Sequence, residues 1–248
     1  DLYGSALWQR YRGLEIRERN RRSRGAELQC QASLGPRDER PTRKDLAWHS
    51  TETNEIGLHE FASWVEKLGT DLMLAVNLGT RGTLEALDLI EYANGEAGSS
   101  LADERVANGR TEPFGIKTWF LGNEMDGPWQ IASWEKDPRG YGILAHEVSK
   151  AMKWVDSTIE TVACVSSSPF LHTYPQWDLD VLQECYETVD YISLHHYHAA
   201  PVDDLGALLG GSALFEDYIR TEIALCDFVQ TKLRSQKQMM LSFDEFGI

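Results

Sequence analysis

IKTWFLGNE, residues 116–124, is an apolar run closed by an amide and an acid. It is short and rich in β-branched and aromatic side chains, which predicts a buried strand. A carboxylate directly after such a strand is costly unless it faces a cleft and has partners. Four more stretches repeat the pattern: DLMLAVNLG (71–79), ETVACVSSS (160–168), VDYISLHHY (189–197) and QMMLSFDEF (238–246). Helical candidates lie between and around them. GLHEFASWVEKLG (57–69) places Leu58, Phe61, Trp64, Val65 and Leu68 on one face, with Gly69 as a stop. GTLEALDLIEYANG (82–95) ends in Asn-Gly. GYGILAHEVSKAMKWVD (140–156) has Ile143, Leu144, Val148, Ala151, Met152 and Val155 at helical spacing, and ALFEDYIRTEIALCDFVQTKLRS (213–235) is the longest. Strand then helix, repeated, predicts an α/β fold with parallel strands, either open and doubly wound or closed into a barrel. No GxGxxG or GxxxxGKS follows a strand, which counts against nucleotide binding.

In both architectures chemistry sits at the C-terminal strand ends. Those ends carry Asn77 and Gly79, Asn123 and Glu124, Ser166 to Ser168, His195 to His198, and Asp244 to Phe246. Glu124 and Glu245 come from different strands, so one shared rim brings both to one pocket. Paired carboxylates suit glycoside hydrolysis, one ionised and one protonated. Either acid alone reads as well as an ordinary salt-bridged strand-end residue. In HHYH (195–198), His195 and Tyr197 fall on one side of an extended chain and His196 and His198 on the other. His195 and Tyr197 read as hydrogen-bond partners of a pocket carboxylate, or as core. No further residue is spaced to complete a metal site with the histidines. The serines lack a GxSxG elbow. NLGTRG (77–82) reads as a turn into a helix.

The 248 residues are 42% hydrophobic and 25% charged, with eight Trp and nine Tyr, an ordinary globular composition whose aromatic count favours a ligand cleft. The net charge of −15 argues against nucleic acid and against an anionic membrane surface as partners. Cys30, Cys164, Cys185 and Cys226 match no metal-knuckle spacing and read as free thiols in a reducing compartment. Charge is uneven. Residues 1–45 carry 11 Lys+Arg against 7 Asp+Glu, and seven of those Arg fall between Arg10 and Arg24. The segment has no steady period and reads as solvated or poorly ordered, with a basic arm that binds an acidic partner as the alternative.

The blocks GPRDERPTRKDLAWHSTETNEIGLHEF, MLAVNLGTRG, IKTWFLGNEMDGPWQ, VDYISLHHY and LSFDEF resemble glycoside hydrolase family 51, the α-L-arabinofuranosidases. They run in order from Gly35 to Phe246. The resemblance implies a (β/α)8 TIM-type barrel and a retaining double displacement. It makes Glu124 the acid/base, Glu245 the nucleophile, and Trp48, Asn123, His195 and Tyr197 substrate-binding residues. It implies a metal-free, cofactor-free, exo-acting enzyme that releases terminal arabinofuranosyl units from arabinan or arabinoxylan. It also implies a cytoplasmic location, and homo-oligomers in the full-length form.

Departures from the family pattern set further expectations. The strand RWPGGNF and a pocket Glu expected upstream are missing. Residues 1–34 form an atypical Arg-rich segment that suits disordered or frame-shifted text. Residues 35–248 form a partial barrel with its first strands doubtful. The family continues WNVWY where this chain has Phe246, so the last strand and the following β-sandwich are expected to be absent, and the chain to be poorly soluble or inactive. The alternatives are another two-Glu barrel glycosidase, acting on β-xylosides or β-glucans, and a non-catalytic sugar-binding remnant.

Overall fold

The computed structural model describes residues 33–46, 49–198 and 203–247. Trp48 and the Arg-rich segment lie outside the described residues. An antiparallel hairpin, β1 (Arg43–Asp45) and β2 (Ser50–Glu52), comes first. There follow α1 (Leu58–Leu68), β3 (Met73–Ala75), α2 (Thr83–Asn94), α3 (Ser100–Ala107), β4 (Thr118–Phe120) and α4 (Pro138–Val155). The chain then runs through β5 (Glu160–Cys164), α5 (Gln176–Cys185), β6 (Tyr191–Tyr197), α6 (Leu205–Leu233) and β7 (Met240–Gly247).

Strands β3 to β7 form one parallel sheet in chain order. A doubly wound sheet reverses its order at a switch point. This one does not, and it curls as half a barrel with helices packed against it. All five expected strands are present. The hairpin, α3 and α5 were not expected from periodicity. α6 starts at Leu205 rather than at 213 because Asp204 caps it, accepting from the Ala207 N–H at 2.8 Å. The glycines at 206, 210 and 211 had masked that first stretch, since glycine weakens helix propensity.

The core lies between sheet and helices. α4 buries Tyr141, Ala145, Val148 and Met152, one side of a helix. Tyr141 stacks on Trp177 of α5, ring centroids 5.6 Å apart. Its hydroxyl donates to the Leu121 carbonyl at 2.7 Å and accepts from the Cys164 N–H at 2.9 Å, tying the ends of β4 and β5 together. Two helical faces differ from expectation. Ile143 and Val155 of α4 are exposed, and α1 buries Leu58, Ala62 and Val65 while leaving Trp64 and Leu68 exposed. Both helices turn a narrower stripe inward than their apolar residues suggested.

Candidate active site

Glu124 follows β4 in the turn GNEMDGPWQ. Gly122 begins that turn with φ +108, and a Cβ there would stand 2.5 Å from Met125 Sδ. Glu124 itself takes a left-handed conformation, φ +48, which is uncommon for a residue with a side chain and is held by the surrounding turn. The Gly127 N–H donates to the Glu124 carbonyl at 2.9 Å. The Trp129 ring lies across Gly127, where a Cβ would come within 2.6 Å of Cε2. That close approach brings the indole Nε1–H to Glu124 Oε2 at 2.8 Å, with Gln130 Nε2 at 3.5 Å from the same oxygen. Asp126 anchors the turn to the loop after β5 by accepting from the Ser167 N–H at 3.0 Å. Burial pushes the Asp126 carboxyl up to about 6 against the pull of that N–H.

His195 is buried on β6, between the two acids. Its Nδ1 is 3.2 Å from Glu124 Oε1 and 3.6 Å from Glu245 Oε2, and its Nε2 is 3.0 Å from Asp244 Oδ1. Adjacent residues of a strand normally face opposite ways, yet Asp244 and Glu245 both reach this one ring. The cause is a register shift. Leu194 pairs with Phe243 and His195 with Glu245, so Asp244 is the extra residue of a bulge. Burial alone would depress the His195 imidazole, but its hydrogen bonds with Asp244 and Glu124 outweigh burial and raise its pKa. Tyr197, two residues along the same side of β6, donates its hydroxyl to Glu245 Oε1.

Glu124, Glu245, His195 and Tyr197 therefore share one pocket, and Asn123 is half-buried beside Glu124 in the chain. His196 faces the opposite side, against Phe215 and His198 at ring-centroid distances of 5.4 and 6.1 Å. Ser193 and Asp126 are site residues that residue pattern did not single out, and Asp244 stood there only as one of the strand-end residues. The bulge that recruits Asp244 leaves no mark in the sequence. Of the serines after β5, Ser166 is held structurally, donating through both N–H and Oγ to Asp178 at 2.7 and 2.5 Å. Asn77 Oδ1 accepts from the N–H groups of Gly79 and Thr80 at 3.0 and 2.9 Å, so NLGTRG is a turn leading into α2.

One ligand atom each from Glu124, His195 and Glu245 lies within 4.8 Å of the others, close enough to hold a cation. Two donors, Trp129 Nε1–H and Tyr197 O–H, already address the carboxylate oxygens. Donors serve an anionic or proton-exchanging pair, and the same two carboxyls can act as acid and nucleophile.

The model of the alpha-L-arabinofuranosidase 1 domain matches residues 21–205, beginning inside the Arg-rich segment. An intracellular exo-alpha-(1->5)-L-arabinofuranosidase of Acetivibrio thermocellus is 48% identical over 215 residues, 87% of this chain and 42% of that protein. An exo-alpha-(1->6)-L-arabinofuranosidase of Bifidobacterium longum is 46% identical over 221 residues, again 87% of this chain and 42% of the relative. The solved structure of a family 51 alpha-L-arabinofuranosidase from Bifidobacterium longum superposes with a TM-score of 0.83 at 43% identity, covering 87% of this chain and 42% of that one. This chain thus spans less than half the length of these proteins.

Proposed function

This chain belongs to the α-L-arabinofuranosidase domain family, and on that premise we propose that its pocket performs the retaining, exo-acting hydrolysis of terminal α-L-arabinofuranosyl residues. Glu245 attacks the anomeric carbon while Glu124 protonates the departing oxygen. The resulting arabinosyl ester is hydrolysed by water that gives its proton to Glu124. Retention asks for carboxyl groups roughly 5–5.5 Å apart and inversion for about 6.5–9.5 Å. The approach of Glu124 and Glu245 oxygens to within 4.8 Å carries the reading. The Tyr197 hydroxyl orients the nucleophile, and Asn123 and His195 line the sugar site.

The substrate is an arabinose-containing oligosaccharide or polysaccharide. Relatives are named for both (1->5) and (1->6) linkages, so the proposal stops at the terminal furanoside. Relatives named intracellular support a location inside the cell. Among the described residues no helix is long and apolar enough to cross a membrane. Residues 35–248 are part of a barrel. Among the described residues β3 and β7 each have one sheet neighbour. Open edges of this kind favour association over turnover, so residues 1–248 alone are expected to be poorly soluble or inactive.

The experiment follows 4-nitrophenol release from 4-nitrophenyl α-L-arabinofuranoside by the natural protein that carries this sequence, with NMR of the first-formed sugar anomer. Release with retained configuration, lost in Glu245→Gln, supports the proposal. An inverted first product, or turnover that survives Glu245→Gln, sinks it. Preference for a β-xyloside or β-glucan would assign another two-Glu glycosidase.

A further inference from the structure

Asp244 has no role in the mechanism above, yet its side chain is 1% exposed beside the reacting acids. Its Oδ1 accepts from Ser193 Oγ–H at 2.8 Å and lies 3.0 Å from His195 Nε2. Its Oδ2 is buried with no hydrogen-bond partner among the described residues. A half-satisfied buried carboxyl is expensive and calls for a compensating role. The bulge that aims Asp244 at the imidazole is a local departure from the strand with the same outcome.

We infer that Asp244 is a positioning residue: it fixes the His195 proton on Nε2, leaving Nδ1 as the ring atom that shares a proton with Glu124 during the reaction. This rests on the reading of Glu124 and Glu245 as the reacting carboxyls. A carboxylate only accepts, so at 3.0 Å it demands Nε2–H. Ser193 Oγ, 3.2 Å from the same nitrogen, gives its own hydrogen to Asp244, so toward Nε2 it too can only accept, which again calls for Nε2–H. Nδ1 then faces Glu124 Oε1 at 3.2 Å. One proton on this pair sits either on Glu124, with Nδ1 accepting, or on Nδ1, with Glu124 ionised. The total charge is the same in both states. When Glu124 gives its proton to the leaving oxygen, the Glu124 O–H bond breaks and an alcohol O–H bond forms. Proton abstraction from water then restores the pair. The titratable groups facing the ring are Glu124 from the loop after β4 and Asp244 and Glu245 from β7, and Cys164 at the end of β5 lies within the field of Asp244.

The test uses the natural protein carrying this sequence, its Asp244→Asn and Ser193→Ala variants, and ¹⁵N-histidine NMR with His195→Gln to assign the signals. In Asp244→Asn, kcat is expected to fall on the order of 10²-fold or more, with KM changed less than about threefold. The alkaline limb of the pH profile moves to lower pH, because removing a nearby negative charge releases the shared proton sooner. Ser193→Ala keeps the charge, loses less kcat and leaves the limb in place. The wild-type spectrum shows Nε2 protonated throughout and Nδ1 alone titrating. A fall in kcat with an unmoved limb overturns the inference, as does a wild-type spectrum with the proton fixed on Nδ1. If the arabinofuranoside is not hydrolysed at all, the proposed function fails, and the spectrum separately decides whether Asp244 holds His195.

Discussion

The indole Nε1 of Trp129 donates to Glu124 Oε2 at 2.8 Å, closing a six-residue turn over the acid. The contact exists because Gly127 lets the ring fold back across the backbone. Trp129 is 42% exposed, so little of its value is burial. Trp129→Phe keeps the ring and removes the donor. A hydrogen bond to a charged group contributes about 1.5–3 kcal/mol, so kcat/KM for the arabinofuranoside is expected to fall roughly 10- to 100-fold. The melting temperature should move little. A fall in melting temperature with unchanged kinetics would make the bond structural.

Arg40 and Glu60 join the segment before the hairpin to α1. Arg40 Nη2 lies 2.9 Å from Glu60 Oε1, and the Glu60 carboxylate also accepts from the Gly57 N–H at the start of the helix. Burial pushes the Glu60 carboxyl up, but Arg40, Gly57 and Arg37 outweigh it and hold it down to about 2. A depressed folded-state pKa stabilises above the unfolded value, here 4.5, and that stability is lost as pH falls toward 2. Arg40→Gln should therefore lower the melting temperature at pH 7. The deficit should shrink between about pH 4.5 and 2, as read by thermal melts across that range.

Glu222 of α6 faces Asp178 of α5 in the core, and both are fully buried. Burial first, then the charge of the partner, raises the Glu222 carboxyl, and burial raises Asp178. Raised folded-state values favour folding while the acids are protonated, and that stability is lost as pH rises above the ordinary carboxylate range. Glu222→Gln removes one ionisation. Relative to wild type, its melting temperature should climb with pH, by several degrees between pH 5 and 9, since about 1 kcal/mol is roughly 2–4 °C in a chain of this size. A constant offset at all pH values would remove ionisation as the cause.

The sequence by itself determined the five strands, most of the helices and the side of β6 that His195 and Tyr197 share. These follow from local facts: alternation, apolar periodicity, and the cost of an acid at a strand end. The resemblance carried by GNEMDGPWQ and its companion blocks then pointed to the family that residues 21–205 match. Tertiary structure alone decided the rest. Parallel strands exchange no local signal, so periodicity left the open and closed sheets undecided, and the assembled sheet has the order without reversal that the resemblance to a barrel family implied. The bulge at Asp244 arises from pairing between β6 and β7, two stretches separated by α6, and it places a third carboxyl on His195. Trp64 and Leu68 were read as inward-facing and are exposed, because apolar character permits burial but packing against the sheet decides which stripe is covered.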